Sequence, residues 1–274
     1  MIIYNSEDIV VHYESGDTNY VIVTFMGIGE ENNSETEYFL KGYCLKHKIS
    51  CIGFTSKKRS WYTSSYMKNA LKKALSIITQ NYQHSIGIGF SAGGFAAIYY
   101  AKSLNLDCVF SFAPSFKIDI EYYKSKYNLS SNHINHFNSI WRGNFNKNES
   151  IEKKTIVLFD PYNLTDKLMK EELIRFFEEK PRNNNLLFIP IFYALHLIPL
   201  SFRRSDIYHE MIYFSLGRIT FDKLKEKISY VRRHNITNIY HRLRLGHRQH
   251  PLLTYRVLKS NFWKNPKIQK SKKI

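Results

Sequence analysis

Short apolar runs of strand length recur along this chain, and from about Ile49 onward helical stretches separate them. In order they are Ile9–Tyr13, Tyr20–Phe25, Ile49–Phe54, Ser85–Phe90, Cys108–Phe112, Thr155–Phe159 and Leu186–Ile189. Their β-branched and aromatic residues are those that strands favour. Among the intervening segments, Ser64 to Tyr82 places Met67, Ala70, Leu71, Ala74, Leu75 and Ile78 on one helical stripe. Ala92–Leu104 and Asp166–Glu179 are further helical candidates. Strand alternating with helix predicts an α/β fold, a mainly parallel sheet covered on both faces, and the first runs read as an antiparallel entry to it. With 274 residues, 43% hydrophobic and 15% aromatic, the chain has the material for one such domain.

Two stretches fall outside the rhythm. Residues 117–150, polar and rich in Tyr, Asn and Ser, read as an insertion or small cap on a core spanning 1–206. Residues 207–274 read as a basic helical C-terminal extension packed on that core, frayed from 264 to 274. Of the net charge of +17, the last 74 residues contribute +14, from 18 Lys and Arg against four Asp and Glu. Such asymmetry points to an anionic partner, a membrane surface or a solvated face. No DNA- or RNA-binding motif accompanies the charge, so nucleic acid fits it poorly.

The N-terminus lacks the pattern of a secretory signal, and the longest apolar run, Leu186–Leu200, is interrupted by Pro190, His196 and Pro199. Cys44, Cys51 and Cys108 form no CxxC pair and suit a reducing compartment. The expected location is therefore cytoplasmic, with the inner face of the membrane as a place of attachment. No metal site is expected, because neither His133 with His136 nor the stretch His241–His250 has ligands at suitable spacing.

Chemistry concentrates at Gly89-Phe90-Ser91-Ala92-Gly93-Gly94. A strand precedes this G-x-S-x-G pattern and a helix-forming stretch follows it. That is the context of a nucleophile elbow, whose strained serine tolerates only small neighbours. The Ala92 N–H, at the head of the following helix, is a candidate oxyanion donor. The second donor is expected at Met26 or Gly27, in the loop after the early strand. Acid and base should follow the serine in that order. Asp160, directly after the Thr155–Phe159 run, is the expected acid, although Asp-Pro also begins many turns. Asp166 competes, but reads more simply as a first-turn helix residue. His196, isolated among apolar residues, is the expected base.

These residues resemble the α/β-hydrolase superfamily from about Tyr20 to Pro199. More narrowly, they are similar to serine-triad proteins of bacterial capsule and surface-polysaccharide biosynthesis, a group that includes O-acetyltransferases. The matching pieces are Phe25 to Gly29, Trp61-Tyr62, Gly89 to Gly94, Ser111 to Pro114 and His250 to Leu253. The resemblance implies an α/β-hydrolase fold and transfer of acetyl from acetyl-CoA, as substrate, to a sugar hydroxyl. Trp61 and Tyr62 would line the acceptor site or pack in the core. The basic C-terminal region would hold coenzyme A phosphates or an anionic polysaccharide. A carboxylesterase or deacetylase uses the same serine, and a non-catalytic binding module for an anionic polymer remains the alternative of another class.

Overall fold

The structure is a computed structural model that describes residues 1–27, 36–58, 60–130, 143–145, 153–178, 185–203 and 205–264. Eight strands form one sheet: β1 (Ile2–Asn5), β2 (Ile9–Glu14), β3 (Tyr20–Phe25), β4 (Ser50–Ser56), β5 (His84–Phe90), β6 (Cys108–Phe112), β7 (Lys154–Phe159) and β8 (Leu186–Pro190). Their spatial order is β1-β2-β4-β3-β5-β6-β7-β8. β1 and β2 run antiparallel, β2 pairs antiparallel with β4, and every other neighbouring pair is parallel. The antiparallel entry is thus β1 and β2 alone. β3, which the sequence grouped with it, lies parallel between β4 and β5.

The helices are α1 (Lys41–Lys46), α2 (Met67–Asn81), α3 (Ala92–Tyr99), α4 (Ile120–Tyr127), α5 (Leu164–Glu178), α6 (Ile207–Ser215), α7 (Phe221–His234), α8 (Ile236–Gln249) and α9 (Pro251–Lys264), with a 3₁₀ turn at Ile198–Phe202. Strand alternation sorts the core into two layers. Val21, Val23 and Phe25 of β3 face the side packed by Met67, Ala70, Ala74 and Ile78 of α2, Phe95 of α3 and Leu173 of α5. Ile22 faces the other side, with Cys44 of α1 and the buried Met211, Ile212, Leu224 and Ile228 of α6 and α7. The first helices of the basic segment therefore seal one face of the sheet. All three cysteines are buried and free, and burial pushes the Cys108 thiol up to about 12.

Part of the expected insertion is described. It contributes α4, and Phe145 sits in the core against Phe95, Phe116 and Phe177. His133 and His136 lie outside the described residues, as does the expected frayed tail beyond Lys264. Among the described residues no helix is long and apolar enough to cross a membrane.

The tightest backbone approach lies where β5 turns into α3. A Cβ on Gly89 would stand 2.0 Å from the Gly93 carbonyl oxygen, whereas one on Gly42 of α1 would meet nothing within 4 Å. Gly89→Ala is expected to destabilise the fold by about 3 kcal/mol, the upper end of ordinary overpacking. Gly42→Ala, in an exposed helix position, should stabilise it by roughly 0.5–1 kcal/mol. Urea unfolding of the two variants measures both.

Candidate active site

Ser91 occupies the turn between β5 and α3 with φ 55° and ψ −122°, a region that costs a non-glycine residue about 1–3 kcal/mol. The turn is held from three directions. The Ser91 N–H donates to the Phe112 carbonyl at the end of β6, and the Ser91 carbonyl accepts from the N–H groups of Phe95 and Ser115. A Cβ on Gly93 would stand 2.2 Å from the Phe25 carbonyl oxygen, so the second glycine of the pattern lets α3 lie directly on the end of β3. The close approach explains the glycines, and the strained φ aims Ser91 Oγ away from the sheet.

His196 Nε2 lies 3.0 Å from Ser91 Oγ. Its Nδ1 lies 2.9 Å from Asp166 Oδ1. A buried carboxylate accepts, so Nδ1 carries the proton and Nε2 is left to accept from the serine hydroxyl. The carboxylate that meets the imidazole is Asp166. The expectation of Asp160 in that place is therefore corrected.

The reason is the geometry of two adjacent loops. Asp160 is fully buried, and its oxygens accept from the N–H groups of Tyr162 at 2.9 Å and Leu195 at 2.7 Å. It thereby pins the loop that carries His196. That loop needs pinning, since Tyr193 and Leu195 both have positive φ, 61° and 55°. Asp166 sits in the first turn of α5, where Asn163 Oδ1 accepts its backbone N–H. The positive end of the helix favours an anion there. Asp166 Oδ2 also accepts from the Asp160 N–H at 3.0 Å, so the two acids interlock. Burial pushes both carboxyls above the usual range. The hydrogen bond with His196 opposes this at Asp166, and the N–H donors of Tyr162 and Leu195 oppose it at Asp160.

The oxyanion candidates divide. Ala92 is the first residue of α3, whose leading N–H groups have no intrahelical acceptor. Met26 is corrected as a donor, because its N–H extends the sheet ladder to the Phe54 carbonyl at 3.1 Å. Gly27 lies against the Phe90 ring and carbonyl, beside the elbow. Ile28 and Gly29 of the same stretch lie outside the described residues.

Of the two places expected for Trp61 and Tyr62, the acceptor site or the core, they take the core, which corrects the acceptor-site expectation. They are 5% and 0% exposed, too deeply packed to offer a face to a substrate. The Trp61 indole donates to the Ser115 carbonyl at 2.9 Å, and the Tyr62 hydroxyl to the Met26 carbonyl at 2.7 Å. They brace the two loops that flank Ser91.

Ser115 was not anticipated. Its Oγ lies 3.2 Å from Ser91 Oγ and 3.5 Å from His196 Nε2. Nothing in Pro-Ser-Phe after β6 marks it; only the hydrogen bond from its N–H to Ser91 brings it there.

The surface of the two loops that Asp160 joins is aromatic and cationic. Tyr162 and Tyr193 stack with ring centroids 4.6 Å apart, and both are exposed. The Arg232 guanidinium of α7 lies 5.5 Å from the Phe192 ring.

The sheet order, the elbow after β5 and the histidine after β8 together decide the architecture. The fold is the α/β-hydrolase fold. Solved structures with it include a capsule O-acetyltransferase of Neisseria meningitidis serogroup A, 16% identical, covering 78% of this chain and 92% of that chain, with a TM-score of 0.50. An esterase of Pyrococcus furiosus is 15% identical, covers 79% and 90%, and has a TM-score of 0.52. The glycosylation-associated protein complex of Streptococcus agalactiae matches at 13% identity and a TM-score of 0.54, over 77% of this chain and 46% of that one. No protein-family model and no curated protein sequence matches the chain.

Because the α/β-hydrolase elbow here is braced from the side by Tyr62, Tyr62→Phe leaves the Met26 carbonyl without its donor. The expected cost is about 1–3 kcal/mol of stability, read by urea unfolding.

Proposed function

We propose that the chain is an acyl-transfer enzyme in which Ser91 is the nucleophile, His196 the general base and acid, and Asp166 the group that orients the imidazole and stabilises its protonated form. The observation that carries this reading is the continuous hydrogen-bonded line from Ser91 Oγ through His196 to Asp166. A binding module would have no use for an imidazole bridging a strained serine and a buried acid. Ser91 Oγ attacks the carbonyl carbon of an ester or thioester while its proton passes to His196 Nε2. The Ala92 N–H, at the head of α3, receives the developing oxyanion. His196 then protonates the leaving group, and an acyl-enzyme on Ser91 remains for water or an alcohol to resolve.

For the finer assignment we propose O-acetylation of a bacterial surface polysaccharide of anionic character, with acetyl-CoA as donor substrate. Three things support it. The sequence pieces resemble that group, and the capsule O-acetyltransferase shares the fold. Tyr162, in the loop after β7, and Tyr193, in the loop of His196, stack into an exposed aromatic platform of a kind that suits a sugar face. The basic C-terminal region borders that platform, since Arg232 donates to the Phe192 carbonyl at 3.5 Å. Guanidinium groups there suit phosphate or carboxylate.

The test follows coenzyme A release from acetyl-CoA, with and without an acidic capsular polysaccharide. Release stimulated by the polysaccharide and abolished in Ser91→Ala is the expected result. Turnover of a nitrophenyl ester without release from acetyl-CoA would make the chain an esterase. Silence in both, with no labelling of Ser91 by a fluorophosphonate, would overturn the enzymatic reading. Ser115→Ala should keep the label, which assigns the nucleophile between the two hydroxyls.

The two aspartates give a sharper comparison. Asp166→Asn should lower kcat by about 10³–10⁴-fold, as expected when the imidazole loses its orienting anion. Asp160→Asn, which only loosens the loop, should cost less. Steady-state kinetics on one substrate separates the two.

A further inference from the structure

Side chains from two segments far apart in the sequence meet where α1 approaches α6. His47 directly follows α1, Asp206 is the N-cap of α6, and His209 lies in that helix's first turn. One potential ligand atom from each lies within 4.8 Å of the other two. We propose that His47, Asp206 and His209 form a site for a divalent transition-metal ion of the zinc class, which ties α1 to α6.

The donor set selects the class of ion. Two imidazoles and one carboxylate suit zinc, cobalt or nickel, whereas magnesium and calcium take oxygen ligands. Three protein ligands leave a coordination position for water or a small anion. Ligand atoms about 2.0–2.1 Å from zinc stand roughly 3.4 Å apart in a tetrahedron. The three groups therefore need to close by little more than 1 Å, within reach of side-chain rotation.

Two further observations bear on the site. The Tyr43 hydroxyl hydrogen-bonds His209 Nδ1 at 2.6 Å. A ligating histidine commonly has its second nitrogen held by an oxygen in this way, which fixes the ring and leaves Nε2 for the ion. The rings of His47 and His209 meet edge to face at 4.6 Å, and Tyr43 lies 4.7 Å from His47, so one tyrosine orients both. Asp206, in turn, occupies an N-cap, where aspartate ordinarily accepts from the helix N–H groups. Its side chain makes no capping bond. A carboxylate oxygen instead lies within 4.8 Å of a ring nitrogen of each histidine.

Sequence spacing conceals such a site. Asp206 and His209 are an i, i+3 pair that shares one helix face, but their partner lies more than 150 residues earlier. A cross-link between segments so distant closes a long loop, so the ion would act chiefly as a staple between the early helix and the segment after the 3₁₀ turn.

The experiment uses the full chain stripped with EDTA and titrated with zinc(II) by calorimetry, alongside thermal melting. Cobalt(II) serves as a spectroscopic probe. One equivalent of zinc should bind and raise Tm, cobalt should give the visible absorption of a low-symmetry four-coordinate site, and magnesium should do neither. Asp206→Ala, at an exposed position, should melt like the parent without metal and bind zinc at least about tenfold more weakly. His209→Ala should lose the site, and Tyr43→Phe should weaken it about 10–100-fold, as for other outer-shell partners of ligating histidines. Equal zinc affinity in the parent and all three variants would place the ion among the nine other histidines and overturn the proposal. Absence of binding to the parent would overturn it as well.

Discussion

Ser91 holds a backbone conformation that no unconstrained serine would keep, and the rest of the site is arranged around that fact. Its N–H and carbonyl are bound to Phe112, Phe95 and Ser115, so the turn is knotted to the exit of β6. That knot brings Ser115 beside the nucleophile. Trp61 then holds the Ser115 carbonyl, and Tyr62 holds Met26 across the elbow. Trp61 and Tyr62 have positive φ themselves, 52° and 57°. Strain at the serine is thus shared with a neighbouring turn, and each strained residue is over-determined by hydrogen bonds from its surroundings.

The two aspartates illustrate how one buried site divides its labour. Both lie in low dielectric, where a carboxylate is costly unless several donors face it. Asp160 meets this with two backbone N–H groups and so fixes a loop. Asp166 meets it with a helix N-terminus, the Asp160 N–H and the imidazole, and so faces His196. Neither role works alone. The Asp160 N–H donates to the acid that orients His196, while the Asp160 side chain fixes the strained loop from which His196 projects. The coupling also explains why an acid seven residues beyond the end of β7 can reach the histidine: the turn between folds Asp166 back towards the strand end.

What the sequence made legible follows the range of the interactions involved. The strands β3 and β6 carry local signals, continuous β-branched and aromatic runs, and were read to the residue. The elbow was legible for the same reason, since glycine crowding and a strained serine are properties of six consecutive residues. β1 was not, because Ile2–Asn5 is four residues long and becomes a strand only by pairing with β2. α1 is too short to show a stripe. The choice between Asp160 and Asp166 could not be made locally, as both sit where a strand ends and a helix begins. For Trp61 and Tyr62 the sequence leaves acceptor site and core both open, and the core wins because their polar atoms reach backbone carbonyls there. Exposed aromatics do lie at the site, as Tyr162 and Tyr193, in loops whose sequence gives no hint of stacking.

The C-terminal charge takes on a different meaning once the helices are placed. A tail that existed only for solubility would leave the core complete without it, but α6 and α7 bury Ile207, Met211, Ile212, Leu224 and Ile228 against the sheet. The cationic residues of α7, Lys223, Lys225, Lys227, Arg232 and Arg233, are therefore carried on a helix fixed in orientation relative to Ser91. Arg232, anchored on the Phe192 carbonyl and ring, projects that charge onto the loop that carries His196. On the acyl-transfer reading proposed above, a fixed field beside Ser91 would act on where an anionic group settles, and hence on which hydroxyl meets the acyl-enzyme. On this argument we propose that the fate of the acyl group is governed less by Ser91, His196 and Asp166, which would serve water and alcohols alike, than by the basic helices that the sequence sets apart from the core.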